Sequence, residues 1–240
     1  MDKIAIISDI HGNIPALETV LKDIESRGIK RIICLGDIAG KGPDSDTAVD
    51  IIKEKCESVI KGNWDYLIAE VCDNDMLLWH KRKLGKKRTE YLKNLPTYTE
   101  FYISGRLTRL CHAGLLDVFD RVPMAASFEE KERLFKGPED GDKESDVFGY
   151  GDIHHAYIEN QMGKTIFNAG SVGNPLDMNE SSYVIIEGTY GSKEKSSFSV
   201  NFIRLPYDIE KSVKIAEKSG MPDLKPYINE LRTAKYRGLK

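Results

Sequence analysis

The sequence predicts one α/β domain of two packed sheets covered by helices. Three observations carry this. Strand, helix, strand, helix, strand alternate through the first sixty residues, an order that implies parallel pairing with right-handed crossovers. From Val147 to Leu205 the chain is strand-rich instead. No repeat or composition break interrupts the 240 residues, so a single domain spanning 1–240 is expected.

The opening run Lys3–Ile7 is a short apolar strand bounded by polar residues. Asn13 then caps a helix that tolerates Pro15 in its first turn, and Ile14, Leu17, Leu21 and Ile24 form its apolar face. Gly28 ends that helix. A second strand is expected at Arg31–Leu35, a helix around Asp46–Lys55 and a third strand at Ser58–Ile60. Tyr66 to Leu95 reads as mostly helical and polar, closed by Pro96. Glu100–Ile103 and Leu107–Cys111 are strands flanking a loop at Gly105, followed by helix signals at Phe128–Phe135 and a surface loop at Gly137–Ser145. Further strands are expected at Val147–Tyr150, Ala156–Glu159, Thr165–Phe167, Tyr183–Glu187 and Phe198–Arg204. The last of these opens a C-terminal segment, about 198–240, with helices near Ile209–Ser219 and Leu224–Thr233.

Composition narrows the function classes. With 40% hydrophobic and 30% charged residues the chain is an ordinary globular protein. A net charge of −3 gives no global pull toward nucleic acid or anionic membrane. No apolar run approaches a membrane span, and the first strand begins by Lys3, leaving no room for a signal peptide; a cytoplasmic location is the expectation. Cys34, Cys56, Cys72 and Cys111 lack any metal or redox spacing, and Cys34 and Cys111 read as small buried hydrophobes.

The chemistry shows as a recurrence. Five apolar strands end in short clusters of metal-capable residues: Ser8-Asp9-Ile10-His11-Gly12-Asn13, Gly36-Asp37, Gly62-Asn63-Trp64-Asp65, Cys111-His112-Ala113-Gly114 and Gly151-Asp152-Ile153-His154-His155. In parallel sheets the carboxyl ends of strands share one edge, so these clusters should converge. If the segments stay extended, residues two apart point the same way, and Asp9 with His11, or Asp152 with His154, can grip one ion. Glycines before Asp37, Asn63 and Asp152 suit sharp turns. Singly each piece is weak, because Asp and His after a strand are often turn residues. Five in this order are not explained by turn chemistry. Carboxylate, amide oxygen and imidazole together suit Mn²⁺, Fe²⁺, Zn²⁺ or Mg²⁺.

That ordered set resembles the calcineurin-like metallophosphoesterase family over nearly the whole chain. SDIHGNIPALETVL, GDIAGKGPD and KGNWD are similar to its first three blocks, FNAGSVGNPLD to its NPGSVGxP turn, and RLPYDIE to the closing strand of its small members. The resemblance implies a four-layer α/β/β/α fold, a β-sandwich of two mixed sheets flanked by helices, with the site at strand carboxyl ends. It implies two divalent metals, Asp9, His11 and His154 on the first, Asn63, His112 and Asp152 on the second, and Asp37 bridging both. A hydroxide shared by the metals would attack phosphorus in line. Asp37 and Asn63 are the expected catalytic residues, while Asn13, Lys41 and Trp64 are the expected substrate contacts.

Two positions depart from the family. Trp64 stands where it commonly has a His that protonates the leaving group or steadies the phosphate; it either stacks on a planar leaving group or packs over the site. Asp152 stands for the first His of GHxH; it either reaches the second metal, making that site harder, or leaves the metal loosely held. The first is favoured, with Mn²⁺ preferred over Zn²⁺. The basic run at 81–88, six cations in eight residues, is better read as a solvated helix end than as a nucleic-acid patch. His80 and His155 receive no role beyond support. A phosphatase or phosphodiesterase for a small phosphorylated or nucleotide-like molecule is the leading reading. A non-catalytic metal-binding scaffold and a nuclease are the rivals.

Overall fold

Strand β1 (Asp2–Ile7) is apolar on both faces, and each face has its own partner layer. Ile4 and Ile6 point into a core between two sheets, while Ala5 and Ile7 point into a second core beneath helices. The computed structural model describes residues 1–139 and 141–238; position 140, inside the expected Gly137–Ser145 loop, and the last two positions of the C-terminal segment lie outside the described residues.

After β1 come α1 (Ile14–Ser26), β2 (Arg31–Cys34), α2 (Ser45–Lys55), β3 (Ser58–Val59), α3 (Asn63–Tyr66), a π turn at Leu67–Val71 and α4 (Asp75–Lys93). Then follow β4 (Tyr98–Ile103), β5 (Arg106–Cys111), α5 (Phe128–Glu132) with a 3₁₀ turn at Arg133–Phe135, β6 (Val147–Tyr150), β7 (Tyr157–Gln161) and β8 (Lys164–Asn168). The chain closes with β9 (Ser181–Gly188), β10 (Ser199–Leu205), α6 (Ile209–Ser219) and α7 (Leu224–Thr233). Asn13 caps α1 as expected, accepting from the Ala16 amide, with Pro15 in the first turn. Gly85 interrupts α4 at φ 68° and ψ 170°, a conformation open to glycine, so that segment is two helices meeting at a kink.

Two mixed five-stranded sheets result. The first runs β10-β9-β1-β2-β3, with β1, β2 and β3 parallel and β9 antiparallel to both neighbours. The second runs β4-β5-β6-β8-β7, with β5, β6 and β8 parallel. Ile4, Ile33, Leu110, Val147, Phe167 and Val184 form the core between them. Leu17, Val20, Val49 and Ile52 from α1 and α2 cover the outer face of the first sheet. Leu134, Phe135 and Phe148 form a smaller core on the outer face of the second. This is the expected α/β/β/α layering. Cys34 and Cys111 are fully buried free thiols. Among the described residues no helix is long and apolar enough to cross a membrane.

Candidate metal centre

The carboxyl ends of β1, β2, β3, β5 and β6 meet at one end of the sandwich, and their loops are sewn together by main-chain bonds. Asp9, His11 and Gly12 donate from their amides to the carbonyls of Gly36, Asp37 and Ile38 at 3.0, 2.9 and 3.0 Å. Val172 and Gly173, in the loop after β8, donate to Ser8 and Asp9 at 2.9 and 3.0 Å. From the second sheet, Gly151 donates to the His112 carbonyl at 2.9 Å. The expected convergence of the five clusters is therefore present.

Its local cause differs from the extended backbone expected from sequence. Asp9, His11, Asp37, Asp152 and His154 all lie in the left-handed region, with φ of 54°, 48°, 50°, 63° and 58°. Side chains two apart are thus brought round by consecutive turns, and each such residue is strained by about 1–3 kcal/mol relative to ordinary backbone. Asp9 and His11 do face one point. Asp152 and His154 do not share an ion as a pair: Asp152 lies beside His112 at 3.9 Å, whereas His154 lies beside Asp9 at 3.1 Å. Gly36 has φ +97°, a true turn requirement. Gly62 instead permits close approach, since a Cβ there would sit 2.1 Å from Asp37 Oδ1.

Two groups of ligand atoms lie within 4.8 Å of one another: Asp9, His11 and His154, and Asp9, Asp37 and His112. The histidines share one design. Nδ1 of His11 meets the Ala39 carbonyl at 3.3 Å, Nδ1 of His112 meets the Leu35 carbonyl at 2.8 Å, and Nδ1 of His154 meets the Asn174 carbonyl. Each carbonyl claims the ring proton, which leaves Nε2 as a lone pair aimed inward. Nε2 of His11 is 3.2 Å from Nε2 of His154 and 3.5 Å from Asp37 Oδ2, and Nε2 of His112 is 3.5 Å from Asp37 Oδ1. Asp9 Oδ1 and His112 Nε2 are buried with no hydrogen-bond partner.

So many acceptors facing each other at contact distance need positive charge between them. The electrostatics agree. Burial, then Lys41, hold His11 well below the usual histidine range. Burial also opposes charge on His112, but Asp37, Asp9 and Asp152 outweigh it and push it up to about 9. Burial, reinforced by Asp9 and Asp65, holds the Asp37 carboxyl well above the carboxylate range although His112 pulls the other way. For Asp9, His154 and His112 overcome burial and bring the carboxyl down to about 2. The donor set fits divalent metal.

The sequence profile of the calcineurin-like phosphoesterase superfamily domain matches residues 2–190. The chain belongs to that superfamily. An uncharacterized protein of Methanocaldococcus jannaschii, MJ0912, is 32% identical, over 92% of this chain and 94% of its own. A metallophosphoesterase from Sphaerobacter thermophilus and the hypothetical protein PH1004 from Pyrococcus horikoshii share the fold. Their TM-scores are 0.76 and 0.78, each at 21% identity, and the matches cover 97% and 96% of this chain and 99% and 98% of theirs. Membership makes the protein a hydrolase of phosphoric esters that binds divalent metal.

Over the centre of this phosphoesterase opens a cavity of about 420 Å³. Asp37, Asn63, Asp152 and His154 line its polar side, Trp64, Met124, Leu176 and Tyr236 its apolar side, and Lys41, Arg121 and Arg237 bring positive charge. Trp64 is packed rather than free: its indole lies against Gly40, whose Cβ would meet it at 2.3 Å, and stands edge-on to His11 at 5.9 Å. Lys41 is 7% exposed and donates to Asn174 Oδ1 at 2.7 Å. Burial lowers its ammonium to about 8. Asn63 donates to Asp152 Oδ1 at 2.7 Å. Asn13, expected beside the phosphate, is instead buried and committed elsewhere. Its Nδ2 donates to the Gly173 carbonyl at 2.7 Å, and its Oδ1 accepts from Ser212 at 2.8 Å as well as capping α1. It braces the loop after β8 against α1 and does not line the cavity.

Several contributors receive no defined role from the sequence. Asp65 Oδ1 accepts from the amides of Ile38 and Ala39, both at 3.1 Å, and Oδ2 accepts from Gly62 at 3.0 Å, clamping two loops together. Arg121, in the long loop after β5, grips Asp152 with Nε and Nη2, both at 2.7 Å. Arg237 reaches the cavity from beyond α7, held by the buried Glu230. His80 supports Trp64 from behind, its ring edge-on at 6.5 Å and its Nδ1 3.1 Å from Ser45 Oγ. His155 lines the cavity with Nδ1 on the Ile153 carbonyl at 2.7 Å. Two of the six cations in the basic run are paired: Lys83 with Asp44 at 2.8 Å, and Arg88 with Asp50.

Proposed function

We propose that this phosphoesterase hydrolyses a small phosphorylated molecule, nucleotide-like or aryl, at a binuclear centre. Asp9, His11 and His154 would hold one ion, Asn63, His112 and Asp152 the other, and Asp37 would lie between them. The observation that carries this reading is the placement of the Asp37 carboxylate, with one oxygen 3.5 Å from His11 and the other 3.5 Å from His112. Both oxygens of one carboxylate thus serve two separate imidazole sets. When bound, the ions lower the pKa of a water between them and take up charge from the phosphoryl group.

The chain's own residues supply the rest. Asn63 and Arg121 orient Asp152, and the Trp64 amide orients Asp37 by donating to Oδ1 at 2.8 Å. Lys41 presents positive charge on the cavity wall, held by Asn174. Trp64, Met124, Leu176 and Tyr236 exclude water beside the reacting group and accept a flat or apolar leaving group. Asp152, an oxygen ligand in place of nitrogen, favours Mn²⁺ over Zn²⁺.

The test is turnover of p-nitrophenyl phosphate and its diester counterpart by Mn²⁺-loaded protein, with Asp37→Asn alongside. Loss of roughly 10³-fold or more in Asp37→Asn supports the two-metal reading. No turnover of either ester by wild-type protein with metal bound would replace it with a binding role on the same fold.

A further inference from the structure

We propose that Arg121 is the substrate-phosphate clamp of this enzyme, and that its natural substrate is a phosphate monoester. The inference rests on the reading above and names which group replaces the histidine that Trp64 displaces. Of the cationic side chains lining the cavity, Lys41 is buried and committed to Asn174, and Arg237 is locked to Glu230 by Nε and Nη2, both at 2.8 Å. Arg121 differs: its side chain is 55% exposed while its partner Asp152 is 1% exposed. A guanidinium has five N–H donors, and Asp152 takes those of Nε and one of Nη2. Among the described residues these are its only side-chain hydrogen bonds, and Arg121 lines the cavity.

The backbone aims this residue closely. On one side Asp120 is gripped by Arg133 through both carboxylate oxygens. On the other, Val122 is buried and its carbonyl accepts from Tyr150 Oη at 2.9 Å. Arg121 is therefore pinned between two anchors in a loop without regular structure.

The ester class follows from counting oxygens. A monoester has three terminal phosphoryl oxygens; if two bound ions took one each, a planar bidentate donor would suit the third and its extra negative charge. A diester has two terminal oxygens and one charge, leaving nothing for the clamp to hold.

The experiment is calorimetric titration of wild-type, Arg121→Leu and Arg121→Lys protein, first with Mn²⁺ and then, at saturating Mn²⁺, with inorganic phosphate. The expected result, at saturating Mn²⁺ and whatever Mn²⁺ affinity is lost by loosening Asp152, is phosphate affinity lower by roughly 10- to 100-fold in Arg121→Leu, with partial recovery in Arg121→Lys. In parallel, kcat/KM should fall at least about tenfold more for the monoester than for the diester. Weakened Mn²⁺ binding with unchanged phosphate affinity of the saturated protein would overturn the clamp and leave Arg121 as a positioning residue for Asp152. Equal losses on both esters would overturn the monoester assignment. Because phosphate binding is read without turnover, an inactive wild-type protein would count against hydrolysis while the clamp is still judged.

Discussion

Asp37 and Asp152 face each other across the centre, one delivered by each sheet, and they are held by different means. On the first sheet, the loops after β1, β2 and β3 are zipped by main-chain bonds, clamped by Asp65, and Asp37 takes a backbone amide. On the second, the Asp152 amide donates to Asp9 Oδ2 at 3.2 Å, and its carboxylate depends on the side chains of Asn63 and Arg121. Main-chain fixation leaves little freedom to retune a site, whereas a side-chain network can exchange partners when an ion or a phosphate arrives. The half built from side chains also carries Asp152, one of the two departures from the family pattern. Metal choice and substrate choice should therefore be adjustable on the second sheet without loss of fold.

The largest expected effect comes from breaking the clamp on the first sheet. Asp65→Ala leaves three buried amides without an acceptor, at a cost of about 3–5 kcal/mol in denaturant unfolding. A cost under about 1 kcal/mol would show that the loops hold without it and would erase the contrast between the halves.

His80, behind Trp64 on the same side, gives the next effect through pH. Burial, then Lys83, bring its pKa from 6.5 to about 4 in the folded protein. A histidine whose folded pKa is depressed takes a proton more readily when unfolded, so its contribution is intact above pH 6.5 and is lost as pH falls toward 4. The loss reaches about 3 kcal/mol. His80→Gln should flatten the pH dependence of unfolding by that amount relative to wild type. An unchanged profile would mean that the ring is not sealed behind Trp64.

The different construction of the halves also governs what was legible in the sequence. The order of strands, the two sheets and the five converging clusters could be read because each rests on a local pattern: an apolar run ended by metal-capable residues. The left-handed turns at Asp9, His11 and Asp152 could not, since Asp and His, although enriched at positive φ, still adopt other backbone conformations far more often. Arg121 lies nine residues after His112 in a loop with no periodicity, and its partner is 31 residues further on. Arg237 reaches the cavity only because α7 folds Glu230 beneath it. The resemblance gives Asn13 to substrate, while its place before Pro15 announces the helix cap; in the fold its Oδ1 caps α1 and its Nδ2 is held by the Gly173 carbonyl.

On the second sheet the comparison is sharpened by Asp152→Asn. The amide keeps the size but repels the Arg121 donors with its own NH₂ and loses the charge. Calorimetry with Mn²⁺ should show one site weakened by roughly 10- to 100-fold while unfolding changes by less than about 1 kcal/mol. Two undiminished sites would remove Asp152 from the ligand set.

The smallest effect belongs to a position outside both halves. Gly85 sits at φ 68° and ψ 170°, and a Cβ there would meet nothing within 4 Å. Gly85→Ala therefore tests backbone strain alone, with no clash to confuse it, and should destabilise by about 1 kcal/mol. Its Mn²⁺ and phosphate affinities should match wild type, because the kink lies in α4 and contributes nothing to the cavity lining. If Mn²⁺ affinity instead fell with stability, the two effects would be coupled throughout the domain. The contrast between a main-chain half and a side-chain half would then reduce to a difference in overall stability.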